Sequence, residues 1–331
     1  MSLKFISSNS EPAYIALSTD ISGSKIDGAS NVGRLVFTVD DNKWYIIDSD
    51  LTLKNYSLTS NATYLDTNGV SHGYKNVGGT PMMCNFPYLY AISEGLIDNH
   101  VGFSKVGYQP VSAAGQRVLW NVASDYVFPT SGSQLEIVST SSDDNTGGTG
   151  ALSVRYYYLD NTFAEKSGSV LMSGSTPVLT TETDIYRINY FRVATCGSSG
   201  AAVGTIDIRH PSDTPIFDEI APGYTASRSL IYTVPKGKII YISNISFSAG
   251  YSTTGKQVTF TTKATYDSIT KTQTPGMFFL PYSEYVVQDN AISIDLQVPT
   301  RFPEGTDLKI VVSGETNAKC TAGIRGWIET V

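Results

Sequence analysis

The chain has 331 residues, enough for two or three domains with full-sized cores. Charged residues make up only 16%, against 21 tyrosines, 13 phenylalanines and 29 glycines, which favours sheets and tight turns over helical bundles. The net charge of −7 is spread without runs or a basic stripe, which argues against nucleic acid as a partner, and no apolar run approaches the roughly 18 residues of a membrane span.

Residues 1–58 are expected to form an N-terminal attachment unit. Alternating apolar runs at 33–39 and 43–48 flank Asp40-Asp41-Asn42, the pattern of a β-hairpin, with Trp44 and Tyr45 on the second strand. An isolated hairpin is marginal in water and has to pack on something. Phe37, Trp44 and Tyr45 are therefore candidate protein-contact residues. The start of the chain carries one lysine and a short apolar patch, which does not read as a signal peptide.

Residues 59–98 read as a connector. Asn68-Gly69 and Gly78-Gly79 are turn dipeptides, and the run 88–97 holds one short helix, entered after Pro87 and stopped by Gly95. Gly69-Val70-Ser71-His72-Gly73 matches the GxSxG pattern of a hydrolase elbow. The following residues contain two glycines and a proline but no helix, so an ordinary turn is the expectation here.

Residues 99–211 are expected to form a central β-sandwich. Strands are predicted at 135–139, 152–158, 170–172, 185–193 and 204–208, separated by clusters of Gly, Asp, Asn and Ser. Leu152, Val154, Tyr156 and Tyr158 share one parity and Ser153 and Arg155 the other, so the first set should face the core. Asp143-Asp144-Asn145 in the 141–150 turn is a candidate calcium site, although the EF-hand spacing and its distal Glu are missing; a solvated hairpin loop is favoured.

Residues 211–222 carry three prolines and read as a linker; residues 212–331 are expected to form a C-terminal sandwich or jelly roll. Its predicted strands are 227–234, 238–247, 257–266, 277–281, 291–298, 307–312 and 322–328, with Trp327 as a core plug. The fold class is thus all-β: tandem antiparallel sandwich-like modules with an N-terminal hairpin unit and one short helix.

No constellation for chemistry emerges. Cys84, Cys196 and Cys320 are odd in number and far apart, which predicts free, mostly buried thiols in a protein made in a reducing cytoplasm. His72, His100 and His210 lack metal spacing and should be loop or edge residues. Neither a phosphate loop nor a cofactor motif is present, so no catalytic, cofactor-binding or metal residue is assigned.

Several stretches are similar to known proteins. The 32–48 hairpin resembles the G-x-x-V-Y-x-T-D-x-x-x-W-Y hairpins of appendage and decoration proteins of tailed bacteriophages. The run 137–159, with Gly148-Thr149-Gly150-Ala151 before its tyrosine-rich strand, and the run 171–178 are similar to a β-module of phage virion proteins. Residues 232–238 and 302–306 look like parts of their C-terminal sandwiches. The resemblance implies a non-enzymatic structural protein on the particle exterior, decorating the head or attaching to tail or fibre. It further implies homo-oligomers, often trimers, contacts with other virion proteins, and assembly in the host cytoplasm. Two other readings compete. One is a receptor- or carbohydrate-binding module that uses Tyr156–Tyr158, Tyr186 and Tyr190 on a host glycan; packing of those rings in the core is favoured over it. The other is a polysaccharide depolymerase with carboxylates assembled in space.

Overall fold

A computed structural model describes residues 88–95, 97–110, 115–122, 124–250, 257–281, 284–288, 290–314 and 318–331 in full, together with the backbone of eight strands in the first 85 residues. The fold is all-β, built from antiparallel sheets with a single parallel strand pair and one short helix among the described residues. The chain divides into two compact units, residues 1–98 and 99–331.

In the first unit, β1 (Lys4–Ser8), β2 (Glu11–Ala16), β3 (Leu35–Thr38), β4 (Lys43–Ile47) and β5 (Leu53–Tyr56) form one sheet in sequence order. β3 and β4 pair antiparallel as the expected hairpin, with Phe37 opposite Trp44 and Val36 opposite Tyr45. β2 and β3 run parallel. The expected connector holds a second sheet of β6 (Thr63–Leu65), β7 (Ser71–Val77) and β8 (Thr80–Asn85). Ser71 and His72 therefore sit in the middle strand of a sheet, neither in a turn nor on a strand-to-helix elbow. The helix α1 (Tyr88–Ser93) ends where expected: Gly95 adopts φ +67°, and its N–H closes on the Ile92 carbonyl at 3.0 Å.

The second unit contains two sandwiches. The central one packs a sheet of β11 (Glu136–Ser139), β14 (Val178–Leu179), β16 (Ile206–Arg209) and β17 (Ile216–Ile220) on a sheet of β12 (Ala151–Leu159), β13 (Glu165–Leu171) and β15 (Arg187–Cys196). Leu135, Ile137, Val154, Tyr156, Phe191 and Ile206 fill its core. The predicted parity of β12 holds for Val154, Tyr156 and Tyr158. It fails at Leu152, which is half-buried, and at Ser153, which is buried, because bulges on either side of Ser153 shift the register. Gly168 lies directly opposite Tyr156, and a Cβ there would collide with the tyrosine ring.

The C-terminal sandwich has one sheet of β9 (His100–Gln109), β19 (Lys238–Gly250), β24 (Asn290–Phe302) and β26 (Lys319–Thr330). The facing sheet holds β10 (Arg117–Val118), β18 (Ile231–Thr233), β20 (Val258–Ala264), β23 (Tyr285–Val287) and β25 (Asp307–Gly314), and a small ribbon joins β21 (Tyr266–Asp267) to β22 (Thr272–Gln273). Trp327 is buried as expected and stacks on Tyr241 at 5.0 Å. Residues 277–281, predicted as a strand, contribute only the bridge of Phe279 to Ala264.

Sheet pairing corrects the linear division into 99–211 and 212–331. β9 and β10 were expected in the central sandwich, yet they pair with β26 and β25 of the C-terminal one. β17 lies past the expected boundary but completes the central sheet beside β16. The chain thus enters the C-terminal sandwich, leaves to build the central one, and returns. The local apolar pattern specifies that residues 100–109 form a strand; it carries no information about a partner more than 200 residues away.

A buried polar seam joins the sandwiches. Arg187 of β15 makes two parallel bonds to Asp307 of β25, Nε to Oδ1 at 3.0 Å and Nη2 to Oδ2 at 3.1 Å. Its Nη1 donates to the Pro129 carbonyl at 2.6 Å, and Thr233 Oγ1 donates to Asp307 Oδ1 at 2.5 Å. Asn189 supplies both halves of a ladder rung: its Nδ2 donates to the Thr233 carbonyl at 2.8 Å and its Oδ1 accepts the Thr233 N–H at 2.9 Å. Trp120, Tyr126, Val118, Ile231 and Val311 form a small apolar cluster, with Phe128 and Ile216 packed against it. Removing one partner of a buried, bidentate pair strands the other charge. Arg187→Met and Asp307→Ala should therefore each lower unfolding free energy by about 3–5 kcal/mol. The double variant should lose clearly less than the sum, and a urea-denaturation double-mutant cycle measures the difference.

Candidate functional site

A cleft lies on the outer face of the β13-β12-β15 sheet, beside the seam. It is an open cleft of about 520 Å³ lined by Tyr157, Leu159, Glu165, Lys166, Tyr190 and Arg192, among others. The register explains why these residues meet. Tyr157 pairs with Tyr190 on one side and Ser167 on the other, and Arg155 pairs with Arg192. A bulge between Tyr157 and Tyr158 leaves Asn189 as the extra residue, so Tyr158 pairs with Ile188. Tyr156 and Tyr158 consequently point into the core, while Tyr157 and Tyr190 point out.

The tyrosines proposed as a sugar face are thus divided. Tyr156 and Tyr158 are core residues whose hydroxyls donate to Glu182 and, at 3.0 Å, to Asp184. Burial, followed by these carboxylates, pushes both phenols well above their usual range. Tyr186 packs at the seam, its ring 3.9 Å from the Arg187 guanidinium and 5.6 Å from Phe163. Tyr157 and Tyr190 meet edge to face at 6.3 Å with an interplanar angle of 89°, and Tyr190 is 36% exposed.

Charges around the cleft are unevenly compensated. Lys166 is shared between Asp184 at 2.6 Å and Asp160 at 2.9 Å, and Glu165 is paired with Lys238. Arg192 instead receives a neutral partner: its Nη2 donates to the Tyr157 hydroxyl at 2.8 Å.

Behind the cleft lies Lys105, on the inward parity of β9. Its ammonium donates to the Asn189 carbonyl and lies 4.5 Å from the Tyr190 ring centroid. Burial pushes it down to about 8, against the opposing pull of Asp218. Asp218 is also buried; its carboxylate accepts Ser227 Oγ at 2.7 Å and the Glu219 N–H at 2.9 Å. Burial pushes Asp218 and Asp207 up to about 6. Glu219, opposite Asp207 in the ladder, goes up to about 7, first through burial and then through its acidic neighbours. Sequence reading missed Lys105, Arg187, Asp218 and Asp307. One signal was available: Lys105 shares strand parity with Phe103 and Gly107, an apolar face on which a charge needs a partner.

The Asp143-Asp144-Asn145 segment is arranged for a different task from cation binding. Asp144 is fully buried and accepts Ser139 Oγ at 2.6 Å and the N–H groups of Ala151, Gly204 and Val203 at 2.7, 2.8 and 2.9 Å. Four donors converge on the carboxylate, so it stitches the 141–150 turn to residues 203–204. Burial opposes its ionisation, but the hydroxyl and the three backbone donors outweigh that and hold it below the usual carboxylate range. Among the described residues no group of three or more His, Cys, Asp or Glu side chains is placed to hold a metal.

Of the thiols, Cys320 is buried, which pushes it up to about 12, and Cys196 is exposed, contrary to expectation; the side chain of Cys84 lies outside the described residues, as do those of Phe37, Trp44 and Tyr45. Cys196 ends the strand β15, opposite Ala151 and beside the Gly197 turn. His100 opens the edge strand β9, and His210 Nδ1 bonds Ser212 Oγ at 2.8 Å in an exposed turn. No described helix is long and apolar enough to cross a membrane.

No family model matches the chain, and no curated protein matches it. It is similar to two solved structures of infectious bursal disease virus. The Gx strain is 10% identical with a TM-score of 0.15, over 74% of this chain and 76% of that one. The Gt strain is 11% identical with a TM-score of 0.12, over 74% and 83%. The fold and site define a tandem all-β sandwich protein with an aromatic cleft beside its junction.

Two predictions follow from the buried acids. Asp144→Asn turns an acceptor into a partial donor facing four donors, and should cost about 2–4 kcal/mol in urea denaturation, while chelation by EDTA leaves the melting temperature unchanged. The second concerns pH. A carboxyl raised in the fold keeps its proton longer there, so the stability it adds is complete below its unfolded pKa and is lost as pH rises through the folded one. Asp207, Asp218 and Glu219 should therefore make stability fall between about pH 4 and pH 7. Lys105, lowered from 10.5, has the opposite sign and should restore stability as pH rises above about 8. Asp218→Asn should flatten the acid-side slope in melting curves taken across that range.

Proposed function

We propose that the chain is a non-enzymatic structural component of a tailed-phage virion, exposed on the particle exterior and acting through self-association and contacts with other virion proteins. The observation that carries this reading is the seam. The chain crosses between the two sandwiches twice, and the crossing is closed by the bidentate Arg187–Asp307 pair and the Asn189–Thr233 rung. Such a body holds one shape and gives a surface protein a fixed presentation of its loops and edges. The cleft supports the non-enzymatic part, since among the described residues its one lining carboxylate, Glu165, is paired with Lys238 and has no second lining acid beside it for acid–base work. The sequence resemblance of the 32–48 hairpin supports the attachment role. In this reading Phe37, Trp44 and Tyr45 contact a neighbouring protein, and three copies associate.

Self-association is also supported by the C-terminal sandwich. β24 is an edge strand, paired with β19 on one side. Ile242 pairs with Thr300 and Asn244 with Asp295, so residues 296–299 bulge from the ladder and leave Val298 82% exposed. Pro299 and the bulge interrupt the edge and guard it against open-ended pairing, while presenting an apolar tip. Light scattering on the full chain should give the mass of a trimer, and purified virions should carry the chain on their exterior when imaged with and without it. A monomer that binds neither capsids nor tails would overturn the proposal.

A further inference from the structure

We propose that the Tyr157–Tyr190 cleft binds an acidic saccharide. The two rings meet nearly at right angles, forming a corner in which the apolar C–H face of a pyranose can lie on one ring while its rim meets the other. The volume of about 520 Å³ falls within the range of roughly 300–1,000 Å³ typical of small-ligand sites and holds more than one sugar ring. Ser167, exposed and directly across from Tyr157, adds a hydroxyl at the rim.

The acidic preference comes from charge. Within the cleft, Glu165 is spent on Lys238, and Lys166 on Asp160 and Asp184. Arg192 is bonded to the neutral Tyr157 hydroxyl, and its ladder neighbour is Arg155, also exposed; neither forms an ion pair with a carboxylate among the described residues. Like charges directly opposite on a sheet repel. Here two arginines stand opposite each other in the ladder of a chain whose net charge is −7. A carboxylate held by the planar guanidinium of Arg192 would relieve that repulsion, and the same side chain already packs 5.4 Å over the Tyr157 ring. The floor is rigid: Leu159 is fully buried and both ends of the Asn189 amide are bonded to Thr233. The corner is therefore formed before any ligand arrives. This inference stands apart from the virion reading, since it concerns one face of one sheet wherever the protein works.

The test is titration calorimetry on the full chain with a panel of acidic oligosaccharides, namely galacturonate and glucuronate oligomers and sialyllactose. Carboxyl-reduced oligomers and a glutamate peptide serve as controls. At least one acidic sugar should bind about tenfold or more tightly than its reduced counterpart, and the preference should weaken as salt rises. Arg192→Gln should abolish the preference for the acid. Ser167→Trp, at an exposed strand position, should block binding while leaving the melting temperature unchanged. Failure of the whole panel at millimolar concentration would overturn the inference. So would binding that survives both substitutions, or a glutamate peptide that binds as tightly as the best sugar.

Discussion

The bidentate pair of Arg187 with Asp307 is the constraint on which the second unit depends. Burying either ion alone would be prohibitive, and together they are tolerable only when every remaining hydrogen-bonding site is filled. Pro129 and Tyr186 fill those of the guanidinium and Thr233 bonds the carboxylate. Hydrophobic packing of two sandwiches permits many relative rotations, because apolar contact is nondirectional. A planar fork against a carboxylate permits one. The rung formed by Asn189 and Thr233 acts in the same direction: a side-chain amide takes the place of a strand and extends the hydrogen-bond ladder from one sandwich into the other.

Connectivity is the second constraint. Since β9 and β10 belong to the C-terminal sandwich and β11 to β17 to the central one, the junction is crossed on the way out and again on the way back. Lys105 shows what that arrangement permits. It sits on β9, in the C-terminal sheet, yet its ammonium reaches the Asn189 carbonyl of β15 and interacts with Asp218 of β17. A lysine on the inward face of a strand would be a defect in an isolated sandwich. At a junction it becomes a cross-tie, with its ionisation depressed by burial and partly restored by the acid it meets.

The all-β class, the short helix stopped by Gly95, the buried parity of Val154, Tyr156 and Tyr158 and the plug at Trp327 were legible because each is written within a few residues of chain. Alternation, turn dipeptides and a helix-stopping glycine act locally. The partner of β9, the return of β17 to the central sheet and the pair of Arg187 with Asp307 were not legible, because nothing near residue 187 in sequence refers to residue 307. The parallel pairing of β2 with β3 escaped for the same reason. Asp144 stands between the two cases. Its place in a turn rich in Asp, Asn and Gly was visible, but cation ligand and acceptor of backbone amides look the same in one sequence. Only the positions of Ala151, Val203 and Gly204 decide between them.

The cleft and the seam are consequences of one irregularity. Without the bulge after Tyr157, the residues of β15 would alternate across the sheet without a break, and Arg187 and Tyr190, three residues apart, would point to opposite faces. The extra residue, Asn189, resets the alternation, so that Arg187, Tyr190 and Arg192 all lie on the outer face of the sheet. That face is then graded along its length. Arg187 and Leu159 are covered by the C-terminal sandwich, Tyr157 and Tyr190 are partly covered, and Arg155 and Arg192 are open to water. A pocket arises where the cover ends, which is why its walls are aromatic and its mouth is cationic. A single inserted residue thus both delivers the arginine that locks the sandwiches and turns the tyrosines outward beside the lock.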